Sequence, residues 1–186
     1  MKKCGLMILR KKILQKFYDQ KNFLFLVLTF LLASSSLALC LAYISQYIFN
    51  YQPCILCLYQ RIPFFIIVFL SAIGLAIYRK IKIAKIIFLF CLAMLFFNAI
   101  IAFYHSGVEY KIFKGFSGCS AQDLSSVKNI EELRKIIEKT NSVKCDEPQL
   151  FVLGLSMAEW NFIFCLGLFI FLNLLNFIFT KRSKIK

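Results

Sequence analysis

Cys54 and Cys57 stand two residues apart, and Arg61 follows four residues later. A disulfide across Cys-x-x-Cys closes so short a loop that it stabilises little through chain entropy. The pair therefore suits electron exchange better than stapling. On a helix, offsets of three and seven from Cys54 place the second sulfur and the guanidinium on the same face. A helix starting near Pro53 puts both cysteines in its first turn, where the helix dipole favours a thiolate. Proline suits that first position because its missing N–H costs nothing there. Two further cysteines, Cys119 and Cys145, lie in the one long polar segment and give the pair something to exchange with. With 25 residues between them, these two could also form a purely structural staple. Zinc fits the four sulfurs poorly, since structural sites usually take paired knuckles and only one is present; no metal is expected.

The elements that must hold these residues are apolar. The chain of 186 residues is 60% hydrophobic, with a mean hydropathy of +0.74 and 22 Phe. Spanning a bilayer takes roughly 20 apolar residues in a helix. Four stretches qualify, at about 23–48, 54–78, 83–104 and 156–179. In lipid every backbone polar group must be satisfied internally, so such stretches become helices. The expected fold is all-α: one integral membrane four-helix bundle over residues 1–186, with an extracytoplasmic loop at about 105–155. A second helix from Ile62 would be only a marginal span, which is why Pro53 is preferred as its start. Pro63 then lies inside it and can kink it. The first stretch follows a basic segment, as a signal peptide would, but it is longer than the usual apolar core of about 7–15 residues. A retained helix is expected.

A net charge of +14 raises the question of nucleic acid, and its distribution answers against it. Seven basic residues precede the first stretch, four (Arg79, Lys80, Lys82 and Lys85) lie between the second and the start of the third, and four follow the fourth. The other side carries Arg61 and seven more in the long loop, where acids offset them. This is the positive-inside pattern, so both termini should be cytoplasmic, with Cys54, Cys57, Cys119 and Cys145 outside. The partner implied by the charge is the lipid bilayer. Arg61 is the exception to the sorting: a charge within a span is expensive and marks a functional site, unless it merely snorkels to headgroups.

In the loop, Gly115-Phe116-Ser117-Gly118 leads to Cys119. Ser125 or Ser126 can cap an amphipathic helix over 127–139, lying on the membrane surface or over the bundle. The fourth span is introduced by Leu155-Ser156-Met157-Ala158-Glu159-Trp160-Asn161, with the single Trp at interfacial depth. His105, the single histidine, closes the third stretch; taken alone it reads as an interfacial polar residue. Cys4, Cys40, Cys91 and Cys165 read as inert thiols or small hydrophobes.

Four spans, Cys54-Ile55-Leu56-Cys57-Leu58-Tyr59-Gln60-Arg61 at the second, a cysteine pair in the loop, Tyr104-His105-Ser106-Gly107-Val108-Glu109 and the segment Leu155–Asn161 together resemble the DsbB family. These are bacterial inner-membrane thiol oxidases, and the resemblance runs from about Phe23 to Phe179. It implies a multi-pass protein of the inner membrane, its redox cysteines facing the periplasm, that re-oxidises a periplasmic DsbA-like thiol oxidase. The electrons would pass to a membrane quinone, ubiquinone or menaquinone. It further implies that Cys119 forms the mixed disulfide with the partner, Cys145 resolves it, and Cys54–Cys57 receives the electrons. Cys57 would be the thiolate that meets the quinone, with Arg61 and His105 as quinone-binding residues. Two alternatives stay open: a related oxidase dedicated to one substrate, and a non-catalytic scaffold whose disulfides staple the outer loop. A DsbA-type partner poised near about −120 mV needs an acceptor more oxidising than glutathione, which a quinone supplies.

Overall fold

The computed structural model describes residues 2–115, 144–146, 148 and 150–185, with side chains between 19 and 181. Four long helices dominate it: α1 Lys2–Tyr47, α2 Ile55–Ala76, α3 Ile81–Glu109 and α4 Met157–Ile185. Each contains a segment long and apolar enough to cross a membrane: Asp19–Tyr47, Ile55–Ala76, Ile81–Glu109 and Met157–Lys181. The chain is a four-helix membrane bundle. The Cys119 region and the expected amphipathic helix over 127–139 lie outside the described residues.

Helix α3 is the centre of the bundle, packing on both α2 and α4, while α1 packs mainly on α2. Within lipid, apolar burial alone does not drive helices together, so close van der Waals fit and internal hydrogen bonds must. Both are visible. Phe88, Leu95 and Cys91 of α3 are sealed against Leu28 and Leu31 of α1, Ile67 of α2 and Leu172 of α4. At Gly74 a Cβ would sit 3.0 Å from Leu28 Cδ1 and 3.3 Å from Ile87 Cγ2, so α1, α2 and α3 meet at a point only glycine fits comfortably. Aromatic contacts, Phe23 on Phe179 and Phe30 against Phe171, close α1 onto α4. Phe and Ile side chains such as Phe69, Ile86, Phe97 and Phe177 point outward, as a lipid-facing surface requires.

The helix boundaries differ from expectation at two places that matter. Helix α2 begins at Ile55 rather than Pro53, because Cys54 keeps an extended backbone (φ −71°, ψ 171°) and its sulfur takes the N–H of Cys57 at 3.3 Å. Cys54 is thus the helix cap and Cys57 lies one turn in. Helix α3 continues past Tyr104 to Glu109, adding a turn that sets His105 and Glu109 four residues apart on one face. Pro63 lies within α2 as expected.

Before α4 the chain makes a hairpin, β1 Phe151–Val152 paired antiparallel with β2 Leu155–Ser156. Its two turn residues, Leu153 and Gly154, both have positive φ, 54° and 82°, the geometry of the tight turns that match strand twist. Helix α4 then opens with a capping box. The Glu159 N–H donates to Ser156 Oγ (3.2 Å), and the Ser156 N–H donates to Glu159 Oε2 (2.7 Å). Trp160 Nε1 donates to the Val152 carbonyl at 2.8 Å, tying the hairpin to the helix.

Candidate functional site

The cap of α2 sets out the first two sulfurs. Cys54 is buried, Cys57 half-buried, and the Cys54 S–H donates to Cys57 Sγ at 3.2 Å. The segment that follows the undescribed part of the loop brings in a third. Cys145 is 2% exposed and packs with Cys54, Leu56 and Val108 in a small apolar cluster, flanked by Ile55, Cys57 and Tyr104. The extra turn of α3 brings His105 to the same place, its Nε2 3.4 Å from Cys54 Sγ. The sulfurs of Cys54 and Cys145 and the Nε2 of His105 all lie within 4.8 Å of one another. Of the described residues these three could hold a soft metal ion. Two sulfurs poised for disulfide exchange need the same proximity, and His105 Nε2 is already engaged with Cys54, so no ion is required to explain it.

Contact with Cys145 draws the Cys54 thiol toward ionisation. The hydrogen bond with Cys57, burial and the nearby Cys57 charge outweigh it, and Cys54 is pushed up to about 12. In the dithiol state Cys54 therefore holds its proton and offers it to Cys57.

His105 is itself held from behind. Its Nδ1 lies 3.1 Å from Gln60 Nε2, and Asn161 Nδ2 donates to Gln60 Oε1 at 2.9 Å. Glu109 Oε1 stands 3.7 Å from His105 Nε2, and Ser156 Oγ donates to the other carboxylate oxygen. Three helices thus meet at one histidine: α2 through Gln60, α3 through His105 and Glu109, and α4 through Asn161 and its cap.

Arg61 points the other way. It donates from Nη1 to Gln46 Oε1 (2.6 Å) and from Nη2 to the Ala42 carbonyl (3.4 Å), and lies 5.0 Å from the Tyr43 ring centroid. These partners make it a seam residue between α1 and α2. It shares a face of α2 with Cys57, four residues before it, and both are half-buried.

Of the six residues singled out by sequence, Cys54, Cys57, Cys145 and His105 converge, Arg61 stands one turn below Cys57, and Cys119 lies outside the described residues. Gln60, Asn161, Gln46 and Tyr43 were not singled out. A polar residue in an apolar span was the available signal for Gln60 and Asn161, since such residues need partners. Cys165, taken for an inert thiol, hydrogen-bonds Asn161 and Asn98. Cys91 is fully buried, with Ser71 Oγ 3.9 Å from its sulfur.

The family model of the disulfide bond formation protein DsbB matches residues 22–175. The chain is 33% identical over 155 residues to the uncharacterised protein RP370 of Rickettsia prowazekii (strain Madrid E), covering 83% of this chain and 88% of that one. No solved structure matches it. A four-helix membrane bundle with three cysteines gathered at one end, matched by that family over most of its length, is a protein of disulfide bond formation, and the chain belongs to the DsbB family.

Proposed function

We propose that the protein is a thiol oxidase of the bacterial inner membrane. It draws electrons from a periplasmic DsbA-like dithiol protein and passes them to a membrane quinone. The observation that carries this reading is the position of Cys145 beside Cys54, with Cys57 next in line. The basic residues on the α2–α3 turn and at the two ends support cytoplasmic termini and, with them, a periplasmic position for this cluster.

The exchange implied by this reading begins at the loop pair and ends at the cap of α2. Cys119 takes the partner in a mixed disulfide, which breaks the Cys119–Cys145 bond and leaves Cys145 as the thiolate. That thiolate attacks the sulfur within its reach, Cys54 of the Cys54–Cys57 disulfide. A Cys54–Cys145 bond forms, the Cys54–Cys57 bond breaks, and the electron pair leaves on Cys57. The direction is favourable because exchange expels the sulfur that better carries negative charge, and Cys54 is the one pushed up to about 12. The partner's second thiolate displaces Cys119 and leaves the partner as a disulfide. Cys119 then attacks Cys145, which restores Cys119–Cys145 and releases Cys54, which takes up a proton the partner gave up. Burial of Cys54 and Cys145 keeps outside thiols away from the step, while Cys57 is only half-buried.

The residues around Cys57 fit a quinone. Arg61 carries donors suited to a ring oxygen and has its charge fixed by Gln46 and Tyr43, and exposed Leu58, Ile62 and Phe65 beside it offer apolar surface to a prenyl chain. The quinone, when bound, supplies a two-electron, two-proton acceptor. The deciding experiment is quinone reduction by the purified protein with a reduced DsbA-like partner. Quinone loss matched to partner disulfide, and absent in Cys57→Ser, is expected. Inert disulfides and no quinone loss would sink the oxidase reading.

A further inference from the structure

A continuous set of buried and part-buried hydrogen bonds runs from the middle of the bundle to the paired cysteines, and the amides in it fix the direction of the two bonds at His105. Asn98 Nδ2 donates to Cys165 Sγ (3.4 Å), and the Cys165 S–H donates to Asn161 Oδ1 (3.3 Å). Asn161 Nδ2 donates to Gln60 Oε1 (2.9 Å). That bond settles how the Gln60 amide faces His105: its carbonyl is taken, so its NH2 group meets Nδ1 at 3.1 Å. An amide NH2 can only donate. The ring nitrogen opposite it must accept, and a neutral imidazole that accepts at Nδ1 carries its proton on Nε2. That proton points to Cys54 Sγ at 3.4 Å, with the Glu109 carboxylate 3.7 Å away. The Cys145 main chain is a further hydrogen-bonding partner of the ring. Cys54, accepting from His105 and from the Cys57 N–H, passes its own proton to Cys57 Sγ (3.2 Å).

We propose that Asn161 and Gln60 are positioning residues that hold His105 as the Nε2–H tautomer, so that a one-way hydrogen-bond chain from Asn98 ends on the Cys57 sulfur. The inference deepens the oxidase reading and rests on it only for the importance of charge on Cys57. Aligned bonds in a low-dielectric interior polarise one another, and the sum falls on the final acceptor. In the reduced pair, where Cys54 carries its proton, Cys57 is the sulfur that passes the electron pair on, so the chain ends where that charge is held. The opposite tautomer undoes this. With the proton on Nδ1, a bare Nε2 faces Cys54, the Cys54 S–H turns toward it, and Cys57 loses its donor.

The single histidine makes the test direct. The full-length chain, labelled with 15N-histidine and reduced in detergent micelles, should show a pyrrole-type Nε2 and a pyridine-type Nδ1. Asn161→Asp, nearly isosteric but accepting only, should turn the Gln60 amide round and exchange the two resonance types. Gln60→Glu should do the same from the neighbouring position. Alkylation of Cys57 in reduced Asn161→Asp should slow about tenfold, as expected when one hydrogen bond to a charged group is lost. A wild-type ring protonated at Nδ1 overturns the proposal without any variant needing to fold. So does an Asn161→Asp ring that keeps Nε2–H, or unchanged Cys57 alkylation with the tautomer reversed. A wild-type protein that shows Nε2–H and the predicted reversal but reduces no quinone upholds the chain and removes the oxidase reading instead.

Discussion

Cys145 and Cys54, 91 positions apart in the chain, bury their sulfurs within 4.8 Å of one another at one end of the bundle. This pairing makes one exchange route much shorter than the others. In a variant lacking Cys57 and Cys119, mild oxidation should join Cys54 to Cys145 in high yield. Peptide mapping under non-reducing conditions checks it, and a Cys145 that pairs mainly between molecules would contradict the placement.

The ionisation of Cys54 has a definite sign. Its thiol is raised to about 12, so it stays protonated and unreactive from neutral pH up to near that value. In the reduced protein, alkylation at Cys54 should therefore rise only in strong alkali, well above an ordinary cysteine near pH 8.5. Cys145→Ala removes the contact that pulls the value down and should move the onset still higher. Cys57→Ser removes the charge that pushes it up and should move the onset lower. Mass-spectrometric footprinting against pH reads both directions.

Arg61 is held by Gln46 and Tyr43, so its partner on α1 should matter nearly as much as the charge. Hydrogen bonds to charged groups contribute about 1.5–3 kcal/mol. Gln46→Leu should raise the apparent quinone KM by about tenfold while leaving partner disulfide exchange intact, and Arg61→Ala should do so more strongly. Steady-state titration of quinone, with expression as control, distinguishes this from misfolding. An unchanged KM in Arg61→Ala would remove its assigned role.

Ser156 supports the site from the start of α4, capping the helix and donating to Glu109. Loss of a cap costs about 1 kcal/mol, and loss of a bond to a carboxylate adds to it. Ser156→Ala should lower the thermal midpoint in detergent by several degrees, and Ser156→Asp should recover the cap but repel Glu109. Thermal denaturation of both variants measures the two contributions separately.

Much of this was legible in the residues themselves. Four apolar stretches can only be helices in lipid, and Cys57 and Arg61 had to share a face once they fell on one, whereas Cys54 caps that helix from outside it. Boundaries were less legible. The end of α3 at Glu109 depends on polar partners waiting there, Ser156 and the thiol cluster, and hydropathy cannot register them. The hairpin before α4 carries no turn signal because Leu153, a residue that rarely takes a positive φ, occupies a turn position where Asn would announce it.

By itself the sequence determined the membrane, the number of spans and the thiols able to exchange, because these follow from apolar length and from spacing along one helix. Which sulfur faces which was decided only in three dimensions. Gln60, His105 and Asn161 lie on three different helices, and the direction of their hydrogen bonds depends on which amide atom each meets across the bundle. Local residue types state what can donate and accept; only packing assigns the partners.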